Sequence, residues 1–113
     1  MARDLFVYWD KVIPLKEDIE NLLNEYTRGL GEVRWLEPKK RWFVDLPGRP
    51  SYPLQRIEQV QRKRWFEVYV GHELTNDGPC IDVITREMDE ITNNIARGFA
   101  VIAARVWEGR LGE

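Results

Sequence analysis

Residues 62–70 have the sequence RKRWFEVYV, and this stretch decides the fold. Every second residue in it is apolar, namely Phe66, Val68 and Val70. The residues between them are Trp65, Glu67 and Tyr69. A β-strand points successive side chains to opposite faces, so this alternation is typical of a strand with one buried face. The pattern predicts a strand over residues 64–71 that turns the phenylalanine and the two valines toward the core.

A similar basic-aromatic sequence, KKRWF, occupies residues 39–43 and resembles RKRWF at residues 62–66. In the first copy Trp42 shares its strand face with Val44, whereas in the second copy the inward aromatic residue is Phe66. A shift of one residue exchanges the two faces of a strand. The two WF pairs are therefore expected to point in opposite directions, and the similarity does not indicate a structural duplication.

Two further segments have the apolar spacing of amphipathic helices. The first begins at Pro14, and its stripe is Leu15, Ile19, Leu22, Leu23, Tyr26 and Leu30. The second is expected to start after Thr85 as its N-cap, and its stripe is Met88, Ile91, Ile95, Phe99, Ile102 and Val106. Gly98 interrupts the second helix at a cost of about 1 kcal/mol relative to alanine, which predicts close packing at that point.

The remaining segments predict strands and turns. Residues 5–9 are expected to form a strand, residues 32–46 a hairpin with its turn at 37–40, and residues 81–84 the partner of the strand at 64–71. A short helix is expected within residues 54–60. The order β-α-β-β-(short α)-β-β-α predicts a single α+β domain over residues 1–113. Its architecture is a two-layer sandwich, with a mostly antiparallel sheet of about five strands and two helices on one face.

Composition restricts the class of protein. The chain has 113 residues, one cysteine, and no apolar run near the roughly 20 residues that span a bilayer. We therefore expect a cytoplasmic protein of bacterial or phage type, without a disulfide framework and without membrane contact. The net charge is -2, yet the segment from Arg34 to Arg64 has nine lysine or arginine residues against three acidic ones. This asymmetry is compatible with a polar interaction surface, or with a basic side that meets the acidic side of a second copy. A solvated surface whose charges interleave once the chain folds is the alternative, and the sequence slightly favours it.

The most informative prediction concerns the sheet face that the helices do not cover. The outward positions are expected to carry the aromatic anchors Phe43, Trp65 and Tyr69, with the cations Arg41 and Lys63 beside them. The strand at 5–9 adds to this face either Phe6 and Tyr8 or Leu5, Val7 and Trp9, because both of its sides are apolar. Large exposed apolar surfaces mark interaction sites in soluble proteins.

We consider three functions for the protein, of which the first two use this face. In the first, the protein binds without catalysis, either as a homodimer or other homo-oligomer or by docking one protein partner. The proline-rich segment 47–61 is an alternative cover for the face. In the second, aromatic side chains stack on the bases of single-stranded nucleic acid, but the isoelectric point of about 5.5 and the lack of glycine in residues 62–70 oppose this function.

The third function is a small enzyme or ligand binder. Its candidate residues are His72 with Cys80, or the polar group between Asp82 and Asn93. Neither set has metal-ligand spacing, and no glycine-rich phosphate loop precedes a predicted helix, so we expect no cofactor, no metal and no catalytic residue. The predicted core residues are Leu22, Val68, Ile95, Phe99 and Ile102.

Overall fold

The computed structural model describes residues 2–47, 64–70, 80–86 and 90–112. Its helices and strands are β1 (Ala2–Tyr8), α1 (Lys16–Tyr26), β2 (Glu32–Leu36), β3 (Arg41–Leu46), β4 (Arg64–Val70), β5 (Cys80–Arg86), α2 (Glu90–Val106) and β6 (Arg110–Gly112). The strands form one sheet in the order β2-β3-β4-β5-β1-β6, and every pair in it is antiparallel. The predicted two-layer α+β fold is confirmed.

The register of β3 and β4 confirms that the two WF pairs point in opposite directions. Val44 lies opposite Phe66, and Asp45 lies opposite Trp65. Trp42 and Phe66 are fully buried in the core, whereas Trp65 is only partly buried and lies on the other face. The two similar sequences therefore belong to neighbouring strands. In the first WF pair the tryptophan faces the core, and in the second the phenylalanine does.

A single core lies between the sheet and the two helices. The sheet contributes inward side chains from four strands: Leu5, Val7, Trp42, Val44, Leu46, Phe66, Val68, Ile81 and Val83. Helix α1 adds Ile19 and Leu23, and α2 adds Phe99 with four alanines. Of the predicted core residues, Val68 and Phe99 are fully buried, whereas Leu22 and Ile95 pack against the core from partly buried positions. Ile102 is also partly buried.

The pairing of β1 with β5 determines which residues of β1 face the helices. Leu5 pairs with Val83 and Val7 with Ile81, so these residues face the helices. Trp9 follows the end of the strand and is buried beside Trp107, with an edge-to-face contact at 6.0 Å between ring centroids. The alternate residues of β1, Phe6 and Tyr8, therefore point to the opposite face of the sheet.

Helix α1 is shorter than its predicted apolar stripe. Leu15 is the N-cap residue, and its backbone N–H donates to the Asp18 carboxylate at 3.0 Å. Because Leu15 and Leu30 lie outside the helix, both are exposed, while Ile19 and Leu23 are buried. The helix ends where the Thr27 hydroxyl donates to the Leu23 carbonyl at 2.8 Å.

Helix α2 begins later than the sequence pattern predicts. Thr85 lies in β5, because that strand continues to Arg86, which pairs with Ala2 of β1. The prediction of Thr85 as the N-cap is therefore wrong: cross-strand pairing continues through the position that would have capped the helix. The expected close approach at Gly98 is confirmed, since a Cβ at that position would overlap the Tyr26 hydroxyl. Strand β6, only three residues long, was not predicted.

Several sequence predictions lie outside the described residues. These are the short helix within 54–60, the cover by the proline-rich segment beyond Pro47, Met88, His72 and Lys63. Among the described residues, no helix is both long enough and apolar enough to cross a membrane.

Candidate functional site

The sheet face opposite the helices carries five aromatic side chains. Strand β1 contributes Phe6 and Tyr8, β3 contributes Phe43, and β4 contributes Trp65 and Tyr69. We call these five residues the aromatic face. Each of them is partly exposed. They share one side of the sheet because outward positions on antiparallel neighbours stay in register from strand to strand.

The tightest aromatic contact joins β3 and β4. The Phe43 and Trp65 rings stack with their centroids 5.0 Å apart and their planes 20° apart. Arg34 of β2 places its guanidinium carbon 5.2 Å from the Phe43 centroid. The same guanidinium forms an ion pair with Asp45 at 3.2 Å. The charge of Arg34 is therefore balanced by a carboxylate on the neighbouring strand.

Arg41 of β3 and its cross-strand partner Tyr69 of β4 form a second cluster on the same two strands. The guanidinium carbon of Arg41 is 3.9 Å from the Tyr69 centroid, which is the distance of a cation–π contact. Arg41 also forms an ion pair with Glu67. Only 16% of the Arg41 side chain and 5% of the Glu67 side chain are exposed. Both side chains are less exposed than those of the Arg34–Asp45 and Arg110–Asp10 pairs.

The β1 side of the aromatic face has its own arginine. Phe6 and Tyr8 stack with their centroids 6.0 Å apart. Arg110 of β6 lies opposite Tyr8 in the sheet, and its guanidinium carbon is 4.6 Å from the Tyr8 centroid. Its Nε atom lies 3.6 Å from an Asp10 carboxylate oxygen. This arginine too is both placed over an aromatic ring and paired with an acid.

Strand β5 runs between the two groups of aromatic residues. Asp82 lies opposite Phe6 on one side and opposite Tyr69 on the other. Asp82 is buried, and so is Ile84, the next residue of β5 on this face. The register therefore gives the Asp82 carboxylate an aromatic neighbour on each adjacent strand.

Four of the five candidate residues come together as expected, at outward positions on β3 and β4: Arg41, Phe43, Trp65 and Tyr69. Lys63 lies outside the described residues. Arg34 was not predicted as a ring contact, although its outward position follows from the alternation with Val33 and Trp35. The ion pair of Arg41 with Glu67 was not predicted either, because the alternation of apolar residues does not fix the register of β3 against β4.

The polar group between Asp82 and Asn93 does not form one cluster. Asp82 is on the same side of the sheet as the aromatic face, whereas Thr85 lies on the helical side. Glu90 and Asn93 follow on α2 and border the helical side with Thr85. Cys80 is buried and pairs with Tyr8 in the sheet, which does not expose the thiol for nucleophilic attack.

The aromatic face combines flat rings, arginine side chains that stack on those rings, and carboxylates that form ion pairs with the arginines. This combination is suited to contact with another protein surface. Within residues 2–47, 64–70, 80–86 and 90–112, no group of three histidine, cysteine, aspartate or glutamate side chains is placed to hold a metal ion.

Comparisons with known proteins add no functional information. No protein-family model matches the chain, and neither a curated protein nor a solved structure matches it.

Proposed function

We propose that this chain is a non-enzymatic binding protein whose aromatic face packs against the aromatic face of a second copy. The observation that carries the proposal is the arrangement of five partly exposed aromatic side chains on the sheet side opposite both helices. Aromatic residues and arginine contribute most of the binding free energy in protein interfaces. Face-to-face packing of two sheets buries such side chains between layers about 10 Å apart.

The charges of the face favour a second copy over a nucleic acid. Arg34 is paired with Asp45, and Arg41 with Glu67. Neutralised arginines give little net attraction to phosphates, and affinity for nucleic acid depends mainly on such attraction. Two identical faces, by contrast, can approach each other without strong repulsion only if each is close to charge balance. The ion pairs supply that balance at the aromatic anchors.

Trp65 is the anchor on which the interface is expected to depend most. It stacks on Phe43 and therefore keeps one orientation before binding, which reduces the entropy lost on association. Its ring lies at an outward position of β4 and is partly exposed, so it can contact a second copy. Tryptophan is among the residues that most often dominate the binding free energy of an interface.

The experiment compares sedimentation equilibrium of the wild-type chain with that of two variants. Trp65→Arg places an additional, unpaired positive charge in the proposed interface, and we expect dimerisation to weaken by at least about 30-fold. Ile91→Arg is the matched control, because Ile91 is an exposed apolar residue on α2 in the other layer. It is expected to leave the dissociation constant unchanged.

Circular dichroism must show that both variants keep the wild-type fold. A Trp65→Arg variant that dimerises as strongly as the wild type would contradict the proposal, and so would equal weakening by Ile91→Arg. Retention of the wild type on single-stranded RNA, lost as salt concentration rises, would support the nucleic-acid function instead.

We also propose a cytoplasmic location. The support is chemical: the sequence contains one cysteine, Cys80, which is buried and has no second cysteine in the chain with which to form a disulfide. Fractionation of cells that express the protein, followed by detection with an antibody, tests this location.

A further inference from the structure

Strand β2 is one edge of the sheet, and among the described residues no strand lies beyond it. An edge strand carries backbone N–H and C=O groups that can pair with a strand from another chain. Val33 and Trp35 of β2 pack against the core on the helical side. The alternate residues, Glu32 and Arg34, therefore lie on the side of the aromatic face, and both are exposed. The free edge thus presents an acid and a base two residues apart.

The charges at this edge are not balanced within one chain. Glu32 lies directly opposite Asp45 in the pairing of β2 with β3, and like charges at opposed positions are destabilising. Asp45 has an ion pair with Arg34 at 3.2 Å, whereas Glu32 forms none with the residues that the structure describes. The Arg34 side chain is 57% exposed, and a guanidinium has five N–H donors, so it can bind a second carboxylate.

The spacing of these charges makes the edge complementary to itself in one register. When two copies of β2 pair antiparallel about a two-fold axis, residues that face the same side of the sheet meet. A register centred on Val33 places Glu32 of each copy opposite Arg34 of the other copy. A register centred on Glu32 or on Arg34 places like charges opposite each other. The charges of β2 therefore favour one register and oppose its two neighbours.

We propose that β2 is a second interface, independent of the aromatic face, at which two copies pair antiparallel in the register centred on Val33. Each Arg34 then lies between Asp45 of its own chain and Glu32 of the second copy. The helices of both copies lie on one side of a continuous sheet, so both aromatic faces lie on its other side and remain open.

This interface is expected to be weak and sensitive to salt. Five residues from each copy bury little surface, and exposed ion pairs contribute little free energy and are screened by salt. At moderate salt we therefore expect association through the aromatic face alone. Pairing of β2 adds to it at low ionic strength.

The test uses the full chain with Trp65→Arg, which removes association through the aromatic face, as the parent for sedimentation equilibrium. We expect this parent to dimerise at about 10 mM salt, and the dimer to weaken by at least about 10-fold at about 100 mM, because the Debye length falls from about 30 Å to about 10 Å. A parent that is monomeric at every concentration in low salt would overturn the proposal.

Charge variants of the parent then test the register. Glu32→Arg gives the edge two cations, and Arg34→Glu gives it two anions, so each variant alone is expected to dimerise at least about 10-fold more weakly. An equimolar mixture restores both opposite-charge contacts in the heterodimer, and its dissociation constant should lie within about 3-fold of that of the parent. Glu90→Arg is the control, because it makes the same change of charge at an exposed position of α2 and should not alter the dimer.

Circular dichroism must show that each variant is folded. If loss of the Asp45 ion pair unfolds Arg34→Glu, Arg34→Gln replaces it, and its mixture with Glu32→Arg should still associate more strongly than Glu32→Arg alone. A mixture that associates no more strongly than its components would overturn the proposal. A parent dimer that none of the β2 variants weakens would also overturn it, and would show that Trp65→Arg had not removed association through another surface.

Discussion

Phe43 and Trp65 stack across two strands although the sheet register does not place them opposite each other. Phe43 pairs with Glu67, and Trp65 pairs with Asp45, so the two rings are diagonal neighbours on the face. Their centroids are nevertheless 5.0 Å apart. Diagonal contacts of this kind are within reach of aromatic side chains and contribute to sheet stability. The stack orients the tryptophan on the face that we propose for self-association.

The ion pair between Arg41 and Glu67 should show strong coupling. Arg41→Met removes the cation from a glutamate that is 95% buried by side chain, and it is expected to lower the free energy of unfolding by about 3–5 kcal/mol. The double variant Arg41→Met/Glu67→Leu replaces the whole pair by apolar groups and should recover most of that loss. Urea denaturation of both variants measures the difference. A double variant less stable than Arg41→Met would show that the pair is not coupled in this way.

Gly98 and Tyr26 should behave as a coupled pair. Gly98→Ala gains about 1 kcal/mol of helix propensity, but its Cβ would overlap the Tyr26 hydroxyl, and overpacking costs about 1–3 kcal/mol. We expect net destabilisation in the wild-type background. In the Tyr26→Phe background the nearest remaining ring atom is 3.4 Å from the new Cβ, so the same substitution should be neutral or stabilising. Thermal unfolding of the four proteins tests this, and equal effects in both backgrounds would refute it.

Tyr26 also predicts how stability depends on pH. Its hydroxyl donates to the Ile95 carbonyl at 2.7 Å, and burial raises the pKa of this tyrosine above its usual value of 10.0. The folded protein therefore holds this proton more tightly than the unfolded chain. The stability that the protonated Tyr26 contributes to the folded state is complete below pH 10. It is lost as the pH rises through the folded-state pKa of Tyr26.

The measurement is urea denaturation of the wild type and of Tyr26→Phe between about pH 8 and about pH 11. Other lysine and tyrosine side chains titrate in both proteins, so the difference between the two isolates Tyr26. We expect the wild type to lose more stability than the variant above pH 10. Parallel curves would contradict a raised pKa.

Local periodicity was sufficient to predict the central strands. The alternation in residues 64–70 placed Phe66 and Val68 in the core and Trp65 and Tyr69 on the other face, and all four lie there. Periodicity failed for β1, because apolar residues occupy both of its faces. Only the pairing of Val7 with Ile81 determines which side of β1 faces the helices.

Tertiary contacts overrode two local signals near the C-terminal helix. Thr85 has the residue type of an N-cap, but pairing of β5 with β1 extends the strand past it. Strand β6 follows Gly109 and has only three residues, Arg110–Gly112, so no alternation could identify it. It forms because Leu111 pairs with Val7 at the free edge of β1.

The central claim is that the aromatic face joins two copies of the chain. Light scattering behind a sizing column, with the wild-type protein injected over a wide range of concentrations at moderate salt, tests it most directly. We predict a mass twice that of the 13.4 kDa chain at high concentration, with a shift toward the monomer on dilution. A mass of one chain at every concentration would contradict self-association through this face.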